Sequence, residues 1–541
     1  MENKNNKYLV QGSILGIASI LSRFIGMLYR IPLTRIVGVE GMGTYSATYE
    51  WYNLALLLSS YSIPLAVSKL VSAREIKKEY KNSYRIFLSA MGISASVGAF
   101  TSLFVYFSAG LWANLSGFQN IETPLRVLAP TIFIFSIMGV LRGLFQGKRT
   151  MIPTAISQLL EQIVNAIVSV AAAFLLMKEH NASPDISTYG AAGGTLGTLV
   201  GGIFGLLFLI FIYQIYKPVM KKRIRKDTTK HRESYKEATK AILFTAFPII
   251  VSQTAFQLSG IIDTNLWGVI SASKGMEEKL KDSIWGIYSS HYKVLTTVPV
   301  AIATALGAAI VPTLAALHSK GEQEEVKRKV AISIKFNMMI AFPSAIGMGV
   351  LAKPIVTTIF GTDYDVALSA SLLQLGAITI VAFALSTMTN GVLQGIDKMK
   401  LPVQHAFISL LIHIPLVLIL LVVFDLGAYG LVIANVLFAV VICILNWIAI
   451  AKHLNYKQEV IKTFLLPLIA SIIMGAVVFV SYQGIHKIIP WNAISVTISI
   501  VIAMIVYGVT IILVRTVKEE ELLEMPKGRM ILRLCKKFHI M

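Results

Sequence analysis

Charged side chains inside or at the ends of long apolar runs are the residues of this chain most able to do chemistry. Arg23 and Arg30 lie within and just beyond the first run, Arg35 follows closely, and Arg142 lies at the end of the fourth. A guanidinium group stays charged at physiological pH and pairs bidentately with phosphate. Arg23 and Arg30, seven residues apart, share a face if their helix is continuous. The spacing predicts cationic side chains that line a cavity; for Arg30, Arg35 and Arg142, snorkelling to the headgroups is the alternative.

Acidic and amide side chains in apolar runs form a second group of candidates. They are Glu50, Glu161, Asp263 and Asn265. A charge at the centre of a bilayer costs about 2.5 kcal/mol or more unless it faces water or a partner. We therefore expect this group to line a cavity or to take part in ion coupling. Glu161 belongs to a polar stripe on the fifth run, with Gln158, Gln162 and Asn165, for which hydrogen bonding between helices is the favoured alternative.

Other kinds of chemistry have no support in the sequence. Cys443 and Cys535 offer neither a disulfide framework nor a ligand cluster, and the nine histidines take no metal-binding spacing. The segment GLFQGK at 143–148 has three residues rather than four between its glycines, and Arg149 stands where a phosphate-binding loop needs Ser or Thr. The basic residues do not interleave with aromatic residues along one face. We expect no enzyme activity, no cofactor and no nucleic-acid partner.

Long apolar helices must position the candidate residues. Apolar residues make up 55% of the 541 positions and charged residues 14%, against about 25% charged in ordinary soluble chains. Blocks such as 401–424 and 488–514 contain no Lys, Arg, Asp or Glu, and each exceeds the roughly 20 helical residues that cross a bilayer. The alternating short segments of a membrane barrel are absent. The sequence predicts an all-α integral membrane protein with about 14 transmembrane helices.

The distribution of Lys and Arg predicts the orientation and the divisions of the chain. The net charge is +21, and the segment 217–240 alone holds ten basic residues. Because basic loops stay in the cytoplasm, we expect both termini there. The predicted divisions are an N-terminal six-helix bundle at 1–216, a basic cytosolic linker at 217–240, a C-terminal six-helix bundle at 241–455, transmembrane helices 13 and 14 at 456–515, and a basic amphipathic cytosolic tail at 516–541.

An internal repeat relates the two predicted bundles. The sequence GLFQG at 143–147 recurs as GVLQG at 391–395, and IPLAV at 63–67 recurs as VPVAI at 298–302. The first pair falls on spans four and ten, and the second on spans two and eight. Two bundles with the same topology and a pseudo-twofold axis along the membrane normal are typical of transporters that move substrate by rocking one bundle against the other.

These features, with SRFIGMLYRIPLTRIVG near the start, resemble the flippase branch of the multidrug/oligosaccharidyl-lipid/polysaccharide (MOP) exporter superfamily, and within it the SpoVB/MurJ-like group. The resemblance implies a MATE-like, V-shaped fold with a cationic central cavity and alternating access. It also implies that Arg23 and Arg30 are the arginine pair of span one and that Asp263 is an acidic residue of span seven. The arginine that the group places before the span-eight proline is missing, and His291 and Lys293 are the nearest basic residues.

The expected function is a secondary flippase in the bacterial cytoplasmic membrane. It would move a lipid-linked oligosaccharide, with lipid II as the first candidate, among membrane lipids and as a monomer. No carboxylate lies in 401–424, where some relatives bind sodium, so sodium, protons and the membrane potential all stay open as driving forces. The alternatives are a flippase for another lipid-linked polysaccharide, a MATE-type drug/cation antiporter, a membrane-embedded transferase and a non-transporting scaffold.

Overall fold

The computed structural model describes residues 2–61, 63–229, 231–514 and 516, and this part of the chain is mostly helical and contains no strand. The predicted all-α fold is therefore confirmed. The predicted tail at 516–541 lies outside the described residues, apart from Thr516. Contacts divide the chain into two compact units that meet between Gly286 and Ile287. This division does not coincide with the predicted linker at 217–240. The predicted division into two six-helix bundles stays a prediction.

The described residues of the first unit form nine α-helices. They are α1 (Glu2–Leu28), α2 (Arg30–Leu56), α3 (Ile63–Ile76), α4 (Tyr80–Ser116), α5 (Glu122–Gly147), α6 (Ile152–Glu179), α7 (Ile186–Arg225), α8 (Tyr235–Ser273) and α9 (Glu278–Gly286). A π-helical turn, Leu57–Tyr61, follows α2, and a 3-10 turn, Gln119–Ile121, precedes α5.

The second unit begins with a π-helical turn, Ile287–Tyr292, and its residues up to 514 form another nine α-helices. They are α10 (Lys293–Ser319), α11 (Gln323–Val350), α12 (Ala352–Phe360), α13 (Val366–Gly376), α14 (Ile378–Gly395), α15 (Lys400–Leu418), α16 (Ala428–Leu454), α17 (Leu466–Ile488) and α18 (Asn492–Leu513). Further π-helical turns, Ile419–Val423 and Ile461–Leu465, follow α15 and precede α17.

Eleven helical segments among the described residues are long and apolar enough to cross a membrane, and twelve if the bent pair α1 and α2 counts as one span. The chain is thus a multi-pass membrane protein, while the count of fourteen crossings stays a prediction.

The first span is broken where the sequence suggested one continuous helix. The axes of α1 and α2 differ by 42°, and α2 is interrupted again at Gly38, whose φ of 73° is favourable only for glycine. Pro32 lies in the first turn of α2, where a missing N–H costs little, and proline disfavours helical backbone just before it. Arg30 is therefore the first residue of α2. The inference that Arg23 and Arg30 share one helical face is wrong.

Glycines of the repeated motif make the same kind of contact in each unit. A Cβ on Gly143 would lie 2.8 Å from the Pro64 carbonyl of α3, and one on Gly391 would lie 2.5 Å from the Gly307 carbonyl of α10. Neither glycine tolerates a side chain unless the helices separate. In both units, the first glycine of the motif thus packs against the helix that carries the other repeated segment, although it does so at a different turn of that helix.

The glycines of α7 pack it closely against α6, as their four-residue spacing predicted. A Cβ on Gly193 would lie 2.5 Å from the Ala173 backbone, and one on Gly197 would lie 2.1 Å from Ser169 Oγ. This close approach brings the polar stripe of α6 within hydrogen-bonding reach of α7.

The end of the predicted linker is docked on the first unit. Lys81 donates its backbone N–H to Asp227 Oδ2 over 2.6 Å and its Nζ to the Asp227 carbonyl over 2.8 Å. Arg74 forms an ion pair of 2.9 Å with Glu233, and Ser234 caps the N-terminus of α8. Residues 217–225 continue α7. The short connection 226–234 is consequently fixed to the ends of α3 and α4.

Candidate functional site

The three arginines near the start of the chain lie in different settings. Arg23 on α1 and Arg35 on α2 are exposed, whereas Arg30 is half-buried. The Arg30 guanidinium donates a hydrogen bond to the Tyr29 side chain and interacts electrostatically with the phenol groups of Tyr45 and Tyr49. Arg30 is therefore a cation with one direct hydroxyl partner and two further tyrosines in its surroundings.

The tyrosines around Arg30 are linked to one another. The hydroxyl groups of Tyr29 and Tyr45 are 3.0 Å apart, and the rings of Tyr45 and Tyr49 have centroids 4.6 Å apart. Tyr45 and Tyr49 are neighbours on one face of α2 because they are four residues apart. Sequence analysis missed this cluster, although the four-residue spacing of tyrosines in an apolar run was a visible signal.

The polar stripe of α6 joins this cluster to α7 and α1. Asn165 donates to Tyr29 OH over 3.4 Å and accepts at Oδ1 from Ser169 over 2.9 Å and from Thr198 over 3.3 Å. Ser19 of α1 donates to Gln158 over 3.4 Å. Buried polar groups need such partners. The stripe thus makes hydrogen bonds between helices, as the favoured interpretation of the sequence expected.

Arg142 of α5 is engaged one turn along the same stripe. Its Nη2 lies 2.8 Å from Glu161 Oε2, and its Nε donates to Ser157 Oγ over 3.0 Å. The two charged side chains are only 14% and 12% exposed. The pair compensates both charges, so Arg142 offers an anion less net positive charge than an uncompensated guanidinium would. Arg142 and Glu161, which the sequence indicated as two separate candidates, form one ion pair.

Glu50 and Asp263 are associated with α8. The Glu50 carboxylate lies against Gly260, where an added Cβ would be 2.8 Å from Oε2. Asp263, one turn further along, is completely buried in the first unit, so it does not face lipid. Asn265 donates to the carbonyl of Ile261 in its own helix over 2.8 Å. Glu50 of α2 thus contacts α8 at Gly260, about one turn from Asp263. The role of both carboxylates in ion coupling stays a prediction.

Lys293 belongs to the second unit, whereas the candidate arginines belong to the first. Its Nζ lies 4.9 Å from the centre of the Tyr288 ring, and Asn435 donates to Tyr288 OH over 2.9 Å. Nearby His291 is completely buried in the π-helical turn, with Nδ1 3.0 Å from Ser369 Oγ and its ring stacked on Phe360. Lys293 thus lies over an aromatic ring, which is a favourable position for a cation.

The described residues contain no group of three or more His, Cys, Asp or Glu side chains that could hold a metal ion. What the first unit does offer is a partly buried guanidinium with a hydroxyl partner, two further tyrosines in its surroundings, and an exposed arginine on the preceding helix. Such donors suit the oxygens of a phosphate group.

The chain matches two described families. Residues 9–318 match the family described as "Polysaccharide biosynthesis protein", and residues 286–419 match the family described as "MatE". The first match covers more than half of the sequence.

Two characterised relatives from Bacillus subtilis (strain 168) align along most of the chain. The lipid II flippase MurJ is 27% identical over 500 residues, which cover 88% of this chain and 90% of that protein. Stage V sporulation protein B is 24% identical over 526 residues, which cover 96% of this chain and 98% of that protein.

Solved structures share the fold. The lipid II flippase MurJ in its inward closed conformation superposes with a TM-score of 0.68 at 17% identity, over 92% of this chain and 97% of that one. An inward-facing MATE family transporter of the MOP superfamily gives a TM-score of 0.63 at 16% identity, over 83% and 99%. The all-α transporter fold predicted from sequence is therefore confirmed.

Proposed function

The chain belongs to the polysaccharide biosynthesis protein family, and from that premise we propose that it is a secondary flippase for an undecaprenyl-diphosphate-linked cell-wall precursor. The precursor is lipid II, and it passes from the inner to the outer leaflet by alternating access. The observation that carries the proposal is the similarity to the lipid II flippase MurJ of Bacillus subtilis along nearly the whole of both chains. The protein works in the bacterial cytoplasmic membrane with both termini in the cytoplasm.

The chemistry of the first unit supports an anionic headgroup as the substrate. Arg30 is hydrogen-bonded to Tyr29, with Tyr45 and Tyr49 in its surroundings, and Arg23 is exposed on the neighbouring helix. In the proposed cycle, Arg23 and Arg30 bind the diphosphate, and Arg35 adds positive charge in the first unit. Lys293 of the second unit is a further candidate for binding the substrate. Arg142 contributes by holding α5 against α6 through Glu161 rather than by binding phosphate directly.

The membrane potential is sufficient to drive the step. A diphosphate carrying two negative charges gains about 4.6 kcal/mol when it moves outward across an inside-negative potential of about 100 mV, at roughly 2.3 kcal/mol per charge. Protons or sodium are alternative sources of energy. No ATP is required for this direction of movement.

A different lipid-linked glycan is the second candidate substrate. The chain is 22% identical over 293 residues to a probable low-salt glycan biosynthesis flippase of Haloferax volcanii, which indicates that related chains handle other glycans. Drug/cation antiport, typical of MATE transporters, is a further alternative suggested by the match of residues 286–419.

Complementation in bacteria depleted of their own lipid II flippase tests the proposal. We expect this chain to restore growth and to restore the amount of lipid II on the outer leaflet, measured with a membrane-impermeant reagent. If the chain inserts at normal abundance but restores neither growth nor lipid II on the outer leaflet, another lipid-linked glycan becomes the proposed substrate. The matched control is a strain that lacks a different glycan flippase, where the same chain should have no effect.

A further inference from the structure

The hydroxyl group of Tyr29 is the centre of a buried hydrogen-bond network in the first unit. Its oxygen accepts from the Arg30 guanidinium and from Asn165 Nδ2 over 3.4 Å. A phenol carries a single proton, and the Tyr45 hydroxyl lies 3.0 Å away. Because Tyr29 accepts from both nitrogen groups, its own proton is donated to Tyr45. Contacts on three sides therefore fix the direction of the Tyr29 hydroxyl group.

Asn165 of α6 extends the network to α7. Its Oδ1 accepts from Thr198 over 3.3 Å and from Ser169 over 2.9 Å, so its amide nitrogen is directed at Tyr29. Thr198 also contacts the Tyr49 hydroxyl. Asn165, Ser169 and Thr198 are buried, where a polar group without a partner is costly. A chain of hydrogen bonds thus runs from α7 across α6 to Tyr29.

Glycines on α7 make room for two members of this network. A Cβ on Gly194 would lie 3.1 Å from Cδ2 and Cε2 of the Tyr45 ring, and one on Gly201 would lie 3.1 Å from Asn165 Cβ. Both distances are shorter than ordinary van der Waals contact, so a methyl group at either position would push against its neighbour. The face of α7 that packs on α6 thus also restricts where Tyr45 and Asn165 can lie.

We propose that Tyr29 and Asn165 are positioning residues for Arg30, and that they hold its guanidinium in the orientation that receives the diphosphate of the substrate. The proposal rests on the proposed flippase function. A guanidinium has five N–H donors in a rigid fork, and a single hydrogen bond to Tyr29 does not exhaust them. Bidentate pairing with phosphate needs the correct direction as well as the charge. A group that is already oriented also loses less freedom when the ligand binds.

Tyr29→Phe tests the orientation of Arg30 directly, because it removes one hydroxyl group and leaves the positive charge in place. Phenylglyoxal, an arginine-selective reagent, is applied to the purified protein in detergent, and mass spectrometry of proteolytic peptides gives the rate of modification at Arg30. We expect this rate to rise about fivefold or more in Tyr29→Phe, the factor that corresponds to the net value of one hydrogen bond. Thr198→Val, which loosens Asn165 from a distance, should raise the rate by a smaller factor.

Tyr507→Phe is the matched control. It removes a tyrosine hydroxyl group of the second unit that donates to the Met339 carbonyl over 2.8 Å, and Arg30 should then be modified at the wild-type rate. Arg126, whose side chain is 47% exposed, is the internal reference in every sample.

The flipping of lipid II in liposomes separates positioning from a merely structural role. We expect Tyr29→Phe to raise the lipid II density needed for half-maximal flipping by about tenfold, a factor typical of a hydrogen bond to a charged group, at normal protein abundance. In an Arg30→Lys background there is no fork to orient, so Tyr29→Phe should have no further effect. A structural role predicts lower abundance and the same loss in both backgrounds. If Arg30→Lys is inactive, the phenylglyoxal rates decide.

The outcomes also separate this proposal from the proposed function. Wild-type rates of Arg30 modification in folded Tyr29→Phe and Thr198→Val proteins would overturn the positioning role, and so would an equal rise in Tyr507→Phe. If Arg30 becomes more reactive in the first two variants but the wild-type protein moves no lipid II, the orientation of Arg30 by Tyr29 stands and the substrate assignment fails.

Discussion

Arg142 of α5 places Nη2 2.8 Å from Oε2 of Glu161 on α6, and the two side chains are almost entirely enclosed by the first unit. On the same helix, Arg126 pairs with Glu122 over 2.6 Å, but these side chains are 47% and 40% exposed. The two pairs form a natural comparison, because the geometry is similar and the burial differs.

Removal of one member of the buried pair should destabilise the protein. We expect Glu161→Ala to lower the stability by about 3–5 kcal/mol, because it leaves an uncompensated buried guanidinium. Glu122→Ala should change it by less than about 1 kcal/mol. Thermal unfolding of the purified variants in detergent measures both effects.

The double variant Arg142→Met with Glu161→Met separates structure from substrate binding. It removes both charges together, so it should be closer in stability to the wild type than Glu161→Ala is, and it should still flip lipid II. Normal stability combined with complete loss of flipping would show that Arg142 binds the substrate directly.

Two substitutions of Arg23 distinguish phosphate binding by this side chain from snorkelling to the headgroups. We expect Arg23→Ala to abolish flipping while the protein stays abundant, and Arg23→Lys to restore only part of it, because a point charge loses the bidentate fork. Outward-facing precursor and membrane abundance are measured together. Full activity of Arg23→Ala at normal abundance would remove Arg23 from the mechanism, and a silent Arg23→Lys with a scarce Arg23→Ala would indicate a structural role.

The docked connection 226–234 depends on Asp227. Burial opposes ionisation of this carboxyl group, but hydrogen bonds from Thr229 and from the N–H of Lys81 outweigh it and lower the pKa of Asp227. The lowered pKa means that the stabilisation is present above about pH 3.9, the usual value for Asp, and is lost as the pH falls through the folded-state pKa. Docking should therefore not change between about pH 6 and 8.

Limited proteolysis of inverted membrane vesicles tests this contact. We expect Asp227→Asn to increase trypsin cleavage after Arg232, because the Lys81 contacts weaken. Glu324→Gln is the control, since the Glu324 side chain is 87% exposed. Equal cleavage of the Asp227→Asn protein and the wild type would mean that other contacts hold the connection.

The predicted orientation follows from the basic residues. Reporters fused after Lys226 or at Met541 should be cytoplasmic, and one placed at Asn181 should be external, as enzymatic and fluorescent fusions can measure. An external reporter at Met541 would show that the count of fourteen crossings is wrong. It would leave the helical fold of the described residues unchanged.

The fold was largely predictable because its signals are local. Apolar runs gave the helices, and the GLFQG and GVLQG motifs gave the repeat, whose first glycines pack against α3 and α10. The break between α1 and α2 was not predicted. The sequence displayed Pro32 and Gly38, but a proline in a first helical turn fits both a kink and an uninterrupted helix start.

The candidate site was predictable only in part because its contacts are distant in sequence. Arg142 and Glu161 were recognised as costly charges, yet their pairing depends on the packing of α5 against α6. Lys281 reaches the carbonyl of Gly117 across 164 positions, and no spacing rule relates them. The spacing of Tyr45 and Tyr49 was visible in the sequence, but the contact of Tyr29 with Tyr45 was not, because it depends on the bend between α1 and α2.

Flipping of lipid II by the purified protein in liposomes is the most direct test of the central claim. Labelled lipid II is incorporated, and the fraction accessible to an impermeant reagent is followed with and without an imposed potential. We predict transport above that of protein-free liposomes and no transport by Arg23→Ala. Transport should be faster when the side that lipid II leaves is negative, because the potential then drives the diphosphate across. Folded wild-type protein that moves no lipid II under either condition would contradict the account.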